Sequence, residues 1–466
     1  MNHLLKAMAF WVWGLVAIGL SVSMVSVSYR LLALYRAHEG QTRSASSPTL
    51  DSPTLTGLPR PENKPADAII DTQGIEAGQP RISRVVAGEM RAAQSAMQNK
   101  QWSEALKNLD AAAAKSPLTA YDSKTIQEFK GVVYVRLNNL KAAQSAYEAA
   151  VATGAFKVDK LAQLFRVLFQ LAATNKEDAK AIEYGEKAAA AGAAKDNDLL
   201  IMSQLYYQQN DCKKSGIWGD KAIAAFKDAG ELPKEVLYQL KVQCASNVND
   251  VAAMKAALVD LIRLTNKASY WNNLIRLERQ EERDEHNILM IYRVMLDTHS
   301  MNADTDYIEM AQLLGDAGLP SEAQAVLEKA MSSGVLKDEH KERTVRLLNA
   351  LRTRTEADQA GLPALDAAAG RNPAGQFDVK LGEVYFSTGD FQDAVTALRR
   401  GIGKGQLLQP DEAYISLGRS LTAENDLAGA KQALAKLKSL PNISPRVLTL
   451  WNLYADMLPE TASQPL

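Results

Sequence analysis

The segment Leu381–Leu398 constrains the fold most strongly, because it places small and large apolar residues where two antiparallel helices need them to interlock. Gly382 allows a neighbouring helix to approach closely, and Tyr385 covers the next turn on the same helix face. Gly389 ends the first helix, and Ala394 packs a second helix back against it. The segment therefore predicts a helical hairpin.

Small residues that open the core of each second helix recur along the chain. The first five lie 34 or 38 residues apart, and the last two lie 36 apart. This period is typical of stacked helix pairs, which bury a continuous core only against their neighbours. The anchors are Ala105, Ala143, Ala181, Ser215, Ala253, Ala323, Ala394 and Ala430. The chain is therefore predicted to be all-α and built from repeated hairpins.

The hairpin and its period resemble the tetratricopeptide repeat (TPR) family. The resemblance implies an all-α helix-pair solenoid, wound as a right-handed superhelix of about nine to eleven repeats or helix pairs. It also implies a non-catalytic scaffold or adaptor that binds a partner protein or peptide, because the stacked first helices line a concave groove. No cofactor is expected.

A narrower resemblance links residues 81–458 to a proteobacterial group of exported TPR proteins whose role is poorly defined. Members of that group typically begin with a signal peptide, so this resemblance implies export. The residues that carry it are Tyr270-Trp271 with Leu274, the segments 306–313 and 318–323, Gly334, and Trp451 with Tyr454-Ala455.

Eight side chains fall at the family's groove-facing offsets, so the resemblance implies that they contact the partner. They combine amide, aromatic and charged groups, which suit an extended peptide or a partner helix. Each could equally be a solvated residue or one that packs between repeats. The eight are Arg136, Gln170, Gln204, Tyr207, Tyr238, Glu383, Phe386 and Arg419.

An uncharged stretch of 21 residues at 8–28 has the length of a bilayer span or a long secretory signal. We therefore assign residues 1–36 to a transmembrane anchor or signal segment; a buried core helix is the alternative. Residues 37–81 are rich in Pro, Ser and Thr and predict a linker. If the segment is not cleaved, residues 8–28 would bind the inner membrane.

The predicted body then divides into an N-terminal TPR array at 82–265, divergent TPR-like helices at 266–340 and a C-terminal array with a capping helix at 341–458. A short tail at 459–466 completes the chain. In the divergent part, Arg276–His286 reads as a solvated charged connection. The segment Glu339–Asn372 is predicted to hold two helices.

One feature of the sequence argues against a periplasmic location of this body. Arg30, Arg36 and Arg43 follow the apolar stretch and only Lys6 precedes it, so the positive-inside rule would leave the body in the cytoplasm. We nevertheless expect a periplasmic body, and a cytoplasm-facing adaptor is one alternative. Another is a structural or assembly component of an envelope export or polysaccharide machine.

The two cysteines support the periplasmic expectation. Cys212 opens one second helix, and Cys244 lies near the end of the next first helix. Adjacent antiparallel helices bring such positions together, so a disulfide is possible and would require an oxidising compartment. The alternative is two small buried core residues.

The sequence contains little evidence for nucleic-acid binding, metal binding or catalysis. Lys plus Arg number 53 and Asp plus Glu 54, so no net charge favours nucleic acid. The five histidines are scattered without metal-ligand spacing. Gly401–Gly405 lacks the spacing of a phosphate loop and reads as a helix end. We therefore expect no catalytic and no metal site.

Overall fold

The structure, a computed structural model, describes residues 81–460. Within them it contains 20 α-helices, one short 3-10 helix and no strand, which confirms the predicted all-α class. The predicted anchor or signal segment, the linker up to residue 80 and the tail beyond residue 460 lie outside the described residues. Along residues 81–460, the structure has no helix with both the length and the apolar character needed to span a bilayer.

The chain divides into two compact units at residues 194 and 195. The predicted boundary at 265 and 266 therefore falls inside the second unit. In the N-terminal unit, the helices form consecutive antiparallel pairs: α1 (Ala87–Gln98), α2 (Trp102–Ala113), α3 (Ala120–Arg136), α4 (Leu140–Ala152), α5 (Val158–Thr174) and α6 (Asp178–Ala190).

The C-terminal unit begins with antiparallel helix pairs of the same kind and contains more helices than the described part of the N-terminal unit. The first seven are α7 (Asp196–Gln208), α8 (Cys212–Asp228), α9 (Glu235–Asn247), α10 (Val251–Thr265), α11 (Ala268–Glu281), α12 (Glu285–Asp297) and α13 (Asp304–Asp316). The others are α14 (Pro320–Ser332), α15 (Asp338–Arg371), α16 (Gln376–Thr388), α17 (Phe391–Lys404), α18 (Pro410–Ala423), α19 (Leu427–Ala435) and α20 (Pro445–Met457). The 3-10 helix Lys436–Ser439 follows α19.

Small residues hold the pairs together as the sequence predicted. A methyl group on Gly382 would lie 2.5 Å from Leu398 Cγ, so only glycine allows α16 and α17 to approach this closely. Seven of the eight small anchors are buried at 2% exposure or less. The prediction at Ala253 is wrong: this residue is exposed, and Ala257, one turn later on α10, is buried instead.

Four of the turns inside the helix pairs share a two-residue signal. An Asn adopts the left-handed region, with φ between 55° and 62°, which its short polar side chain tolerates. The next residue, Asn or Asp, accepts a backbone N–H at the start of the second helix and caps it. The turns are Asn138-Asn139, Asn210-Asp211, Asn249-Asp250 and Asn425-Asp426.

Two predictions about individual segments are wrong. Residues 338–371 form one helix, not two, although Pro363 lies inside it. Pro363 is exposed, so the carbonyl that loses its hydrogen bond can be solvated. Arg276–His286 is not a solvated connection: most of it belongs to α11, and Glu278 and Glu282 are each only 7% exposed.

Candidate functional site

All eight predicted contact residues lie on first helices of the pairs: one each on α3, α5, α9 and α18, and two each on α7 and α16. Their exposure differs. Arg136 is exposed, and Gln204, Tyr207 and Phe386 are partly exposed. The other four are buried: Gln170, Tyr238, Glu383 and Arg419. That they contact a partner stays a prediction.

Gln204 and Tyr207 are two predicted contact residues that are partly exposed on one helix of the C-terminal unit. They lie three residues apart on α7, so they occupy one face of that helix. Burial raises the pKa of Tyr207. An amide beside a phenol can both donate and accept hydrogen bonds, so this face can pair with a peptide backbone or a polar side chain.

The last three predicted residues, Glu383, Phe386 and Arg419, meet next to a helix of the same chain. The Arg419 guanidinium stacks over the Phe386 ring, 4.6 Å from its centroid. Arg419 also donates to Asp297 Oδ2 at 2.8 Å, and Asp297 is the last residue of α12. In this structure Glu383 and Arg419 thus contact α12 of the same chain.

Helix α12 is buried on all sides. Every residue from Ile288 to Met295 is buried, including Arg293. A helix that is apolar all round is enclosed by protein. Here Trp451 of α20 donates from Nε1 to the Met290 carbonyl oxygen at 3.1 Å, and α20 packs along α12.

Arg293 connects α12 to three other helices. Its guanidinium lies 2.7 Å from Glu322 of α14, 3.3 Å from Glu383 of α16 and 3.6 Å from Glu412 of α18. We call the group of ionisable side chains around Arg293 the charge network. Its members are the cations Arg293, Lys380 and Arg419 and the carboxylates Asp297, Glu322, Glu383 and Glu412.

The carboxylates of the charge network differ in their environments. Burial would raise the pKa of Glu322, but Arg293 and Arg419 outweigh it and lower this pKa to about 2. For Glu412, burial and the charge of Glu383 dominate, and the pKa rises to about 7. Two neighbouring carboxyl groups thus differ in protonation near neutral pH.

Sequence reasoning missed Arg293, Glu322 and Glu412. One signal was present: Arg293 is the only charged residue within the apolar run Ile288–Met295. An arginine in such a run must find carboxylates, because an unpaired buried charge is too costly. The sequence does not show which carboxylates these are, since they lie 29 to 119 residues further along the chain.

The charged segment before α12 also takes part in packing. His286 Nε2 lies 2.9 Å from Asp411 Oδ2 on α18. Burial lowers the pKa of His286, but its hydrogen bond and ion pair with Asp411 outweigh this effect, and the pKa is raised. The residues that were predicted to be solvated therefore fix the start of α12.

Cys212 and Cys244 are joined by a disulfide in this structure, with their Cα atoms 5.5 Å apart. The bond ties α8 to the end of α9 and closes a chain segment with a sequence separation of 32. No group of three or more His, Cys, Asp or Glu side chains within residues 81–460 has the arrangement of a metal site.

Comparison with known proteins identifies three segments. Residues 90–156, 348–406 and 379–442 match the family model described as tetratricopeptide repeat. Together they span roughly a third of the chain. No curated protein sequence matches the chain.

Solved structures of repeat proteins are also similar to this chain. A tetratricopeptide repeat protein from Parabacteroides merdae shares 12% identity, with 73% of this chain and 100% of that chain covered and a TM-score of 0.28. The C-terminal part of a TPR repeat-containing protein from Cytophaga hutchinsonii shares 14% identity, with 56% and 95% covered and a TM-score of 0.30. The TPR2AB domain of yeast Sti1, in a pHSP90 complex, shares 13% identity, with 57% and 98% covered and a TM-score of 0.30.

Proposed function

We propose that this chain, which carries tetratricopeptide repeats, is a non-catalytic scaffold that binds a partner protein or peptide along the first helices of its pairs. Repeats of this family are typical of protein–protein interaction scaffolds, because stacked helix pairs present a long continuous surface. The observation that carries the proposal is that first helices place polar and aromatic side chains at repeating offsets, with Gln204 and Tyr207 partly exposed.

The accessible part of this surface favours α7 as a contact. Gln204 can satisfy backbone amides, and Tyr207 offers a rigid amphipathic ring of the kind that dominates binding energy at interfaces. Glu383 and Arg419 are engaged with the chain's own α12, so we propose no partner contact for them while α12 is in place.

A photo-crosslinker at Gln204 tests this contact in cells. We expect a discrete adduct with one partner, and we expect Tyr207→Ala to lower its yield about tenfold, since truncating an anchoring Tyr costs about 1–2 kcal/mol of binding. The same crosslinker at Lys213, which is exposed on the second helix of the pair, is the control. Equal yields of the adduct from Gln204 and Lys213, or an adduct yield that Tyr207→Ala does not change, would contradict the proposed contact surface.

We further propose that the body lies on the periplasmic side of a bacterial inner membrane. Two features support this location: the uncharged stretch at residues 8–28, and the pairing of Cys212 with Cys244, which an oxidising compartment would maintain. The chain contains 2 cysteines in all, so thiol titration of the denatured protein gives a clear result. We expect no free thiol before reduction and both thiols after it; two free thiols at the start would argue against export.

A further inference from the structure

The charges of the network around α12 do not balance. The charge network holds three cations and four carboxylates, so one negative charge is left over if every group is ionised. Arginine does not give up its proton in proteins, so the imbalance must be removed at a carboxyl group. A buried excess charge is costly, and binding one proton removes it.

The carboxyl groups of the charge network differ in their hydrogen bonds. Glu322 accepts from Arg293 and from Arg419, each at 2.7 Å. Glu383 accepts from Ser416 Oγ at 3.0 Å and from Lys380 Nζ at 3.2 Å.

Glu412 has the weakest partners of the network. It is 1% exposed, its oxygens lie no closer than 3.6 Å to Arg293 and 3.7 Å to Lys380, and its Oε2 has no hydrogen-bond partner. When protonated, Glu412 can donate to its neighbour Glu383.

The charged groups that face Glu412 come from three helices. They are Arg293 and His286 of α12, Lys380 and Glu383 of α16, and Asp411 beside it on α18. Arg400 and Lys404 of α17, which also packs against α18, pair instead with Asp366 and Asp378.

We propose that Glu412, together with Glu383, forms a proton-dependent latch that holds α12 inside the C-terminal unit. With the proton bound, the charge network is neutral and α12 is enclosed. Without it, two adjacent carboxylates repel each other at the point where α12, α16 and α18 meet. Opening would free Glu383 and Arg419 from α12; that these residues then bind a partner rests on the proposed function, whereas the latch itself does not.

The direction of the pH effect follows from the protonation states. Burial and the charge of Glu383 raise the pKa of Glu412 to about 7, so the closed form binds a proton that the open form releases. The latch therefore stabilises closure fully below the ordinary pKa of 4.5 and is lost as the pH rises through about 7. The raised pKa of His286 acts in the same direction, so both groups must be tested.

Hydrogen exchange of residues 285–297 in the full-length chain, corrected for the intrinsic rate, measures the opening of α12. Between about pH 5.5 and pH 7.5 we expect the opening equilibrium to rise at least about tenfold in the wild type. Glu412→Gln, which imitates the protonated group, should remove most of this rise, whereas His286→Gln should retain most of it. The control Glu424→Gln changes an exposed carboxylate on the turn after α18 and should match the wild type.

Two exchange results would overturn the latch: a wild-type opening that does not change with pH, or a Glu412→Gln variant with the wild-type slope. If Glu412→Gln does not fold, infrared difference spectra between low and high pH can follow the protonation of the carboxyl groups instead. They are recorded for the wild type and for Glu383→Gln. The wild type must show a protonated carboxyl band that disappears between about pH 6 and pH 8.5. Absence of that band at the lower pH refutes the latch, whatever the protein binds.

Discussion

Replacing Arg293 with Met is expected to destabilise the C-terminal unit by about 3–5 kcal/mol, because three buried carboxyl groups lose their shared cation. Arg293 is 0% exposed, so its guanidinium pairs with these groups away from solvent. Glu322 would keep Arg419 and Glu383 would keep Lys380, but the point where α12, α14, α16 and α18 meet would carry excess negative charge. The midpoint of urea unfolding, followed by tryptophan fluorescence, measures the loss.

Two variants separate this effect from a general effect of losing an arginine. Arg346 pairs with Glu342 on α15, and these side chains are 69% and 84% exposed, so Arg346→Met should change stability by less than about 0.5 kcal/mol. Arg293→Lys keeps the charge but not the planar guanidinium that reaches several carboxylates. Its midpoint of urea unfolding should lie between those of the wild type and Arg293→Met. Equal midpoints for Arg293→Met and Arg346→Met would show that the charge network does not stabilise the unit.

The helix pairs could be predicted because their signals are local. Gly382 and Leu398 are close in sequence, and the structure brings them into the contact that their spacing indicates. The turn signals are equally local, since a left-handed Asn and the cap after it act within one helix end. Where the packing of a pair depends only on its own residues, the sequence pattern is sufficient.

The surroundings of α12 could not be predicted, because they are assembled from distant segments. The residues that enclose it include Glu322, Glu412 and Trp451, each of which is separated from it along the chain by at least one other helix. The charges between Arg276 and His286 suggested solvent exposure, yet their partners on other helices bury part of them. A pattern within one helix shows that a face must be covered, but it does not show which helix covers it.

The other large effect is expected at Trp451, which joins α20 to α12. The side chain is 0% exposed and contacts the Tyr454 ring edge-on, with ring centroids 5.3 Å apart. Trp451→Ala should destabilise the C-terminal unit by about 3–5 kcal/mol, since it leaves a cavity and removes the hydrogen bond that Nε1 donates to the Met290 carbonyl. Urea unfolding followed by far-ultraviolet circular dichroism measures the change, because the substitution removes a fluorophore.

Two further variants separate the causes of this loss. Trp451→Phe distinguishes packing from the hydrogen bond, and Phe377→Ala shows the effect of removing an aromatic ring elsewhere. Phe should recover most of the packing and leave a cost of about 1–3 kcal/mol for the lost donor and the smaller ring. Phe377 is 48% exposed on α16, so its truncation should cost less than about 1 kcal/mol. If Trp451→Ala proves no worse than Phe377→Ala, then Trp451 does not hold α12 in place.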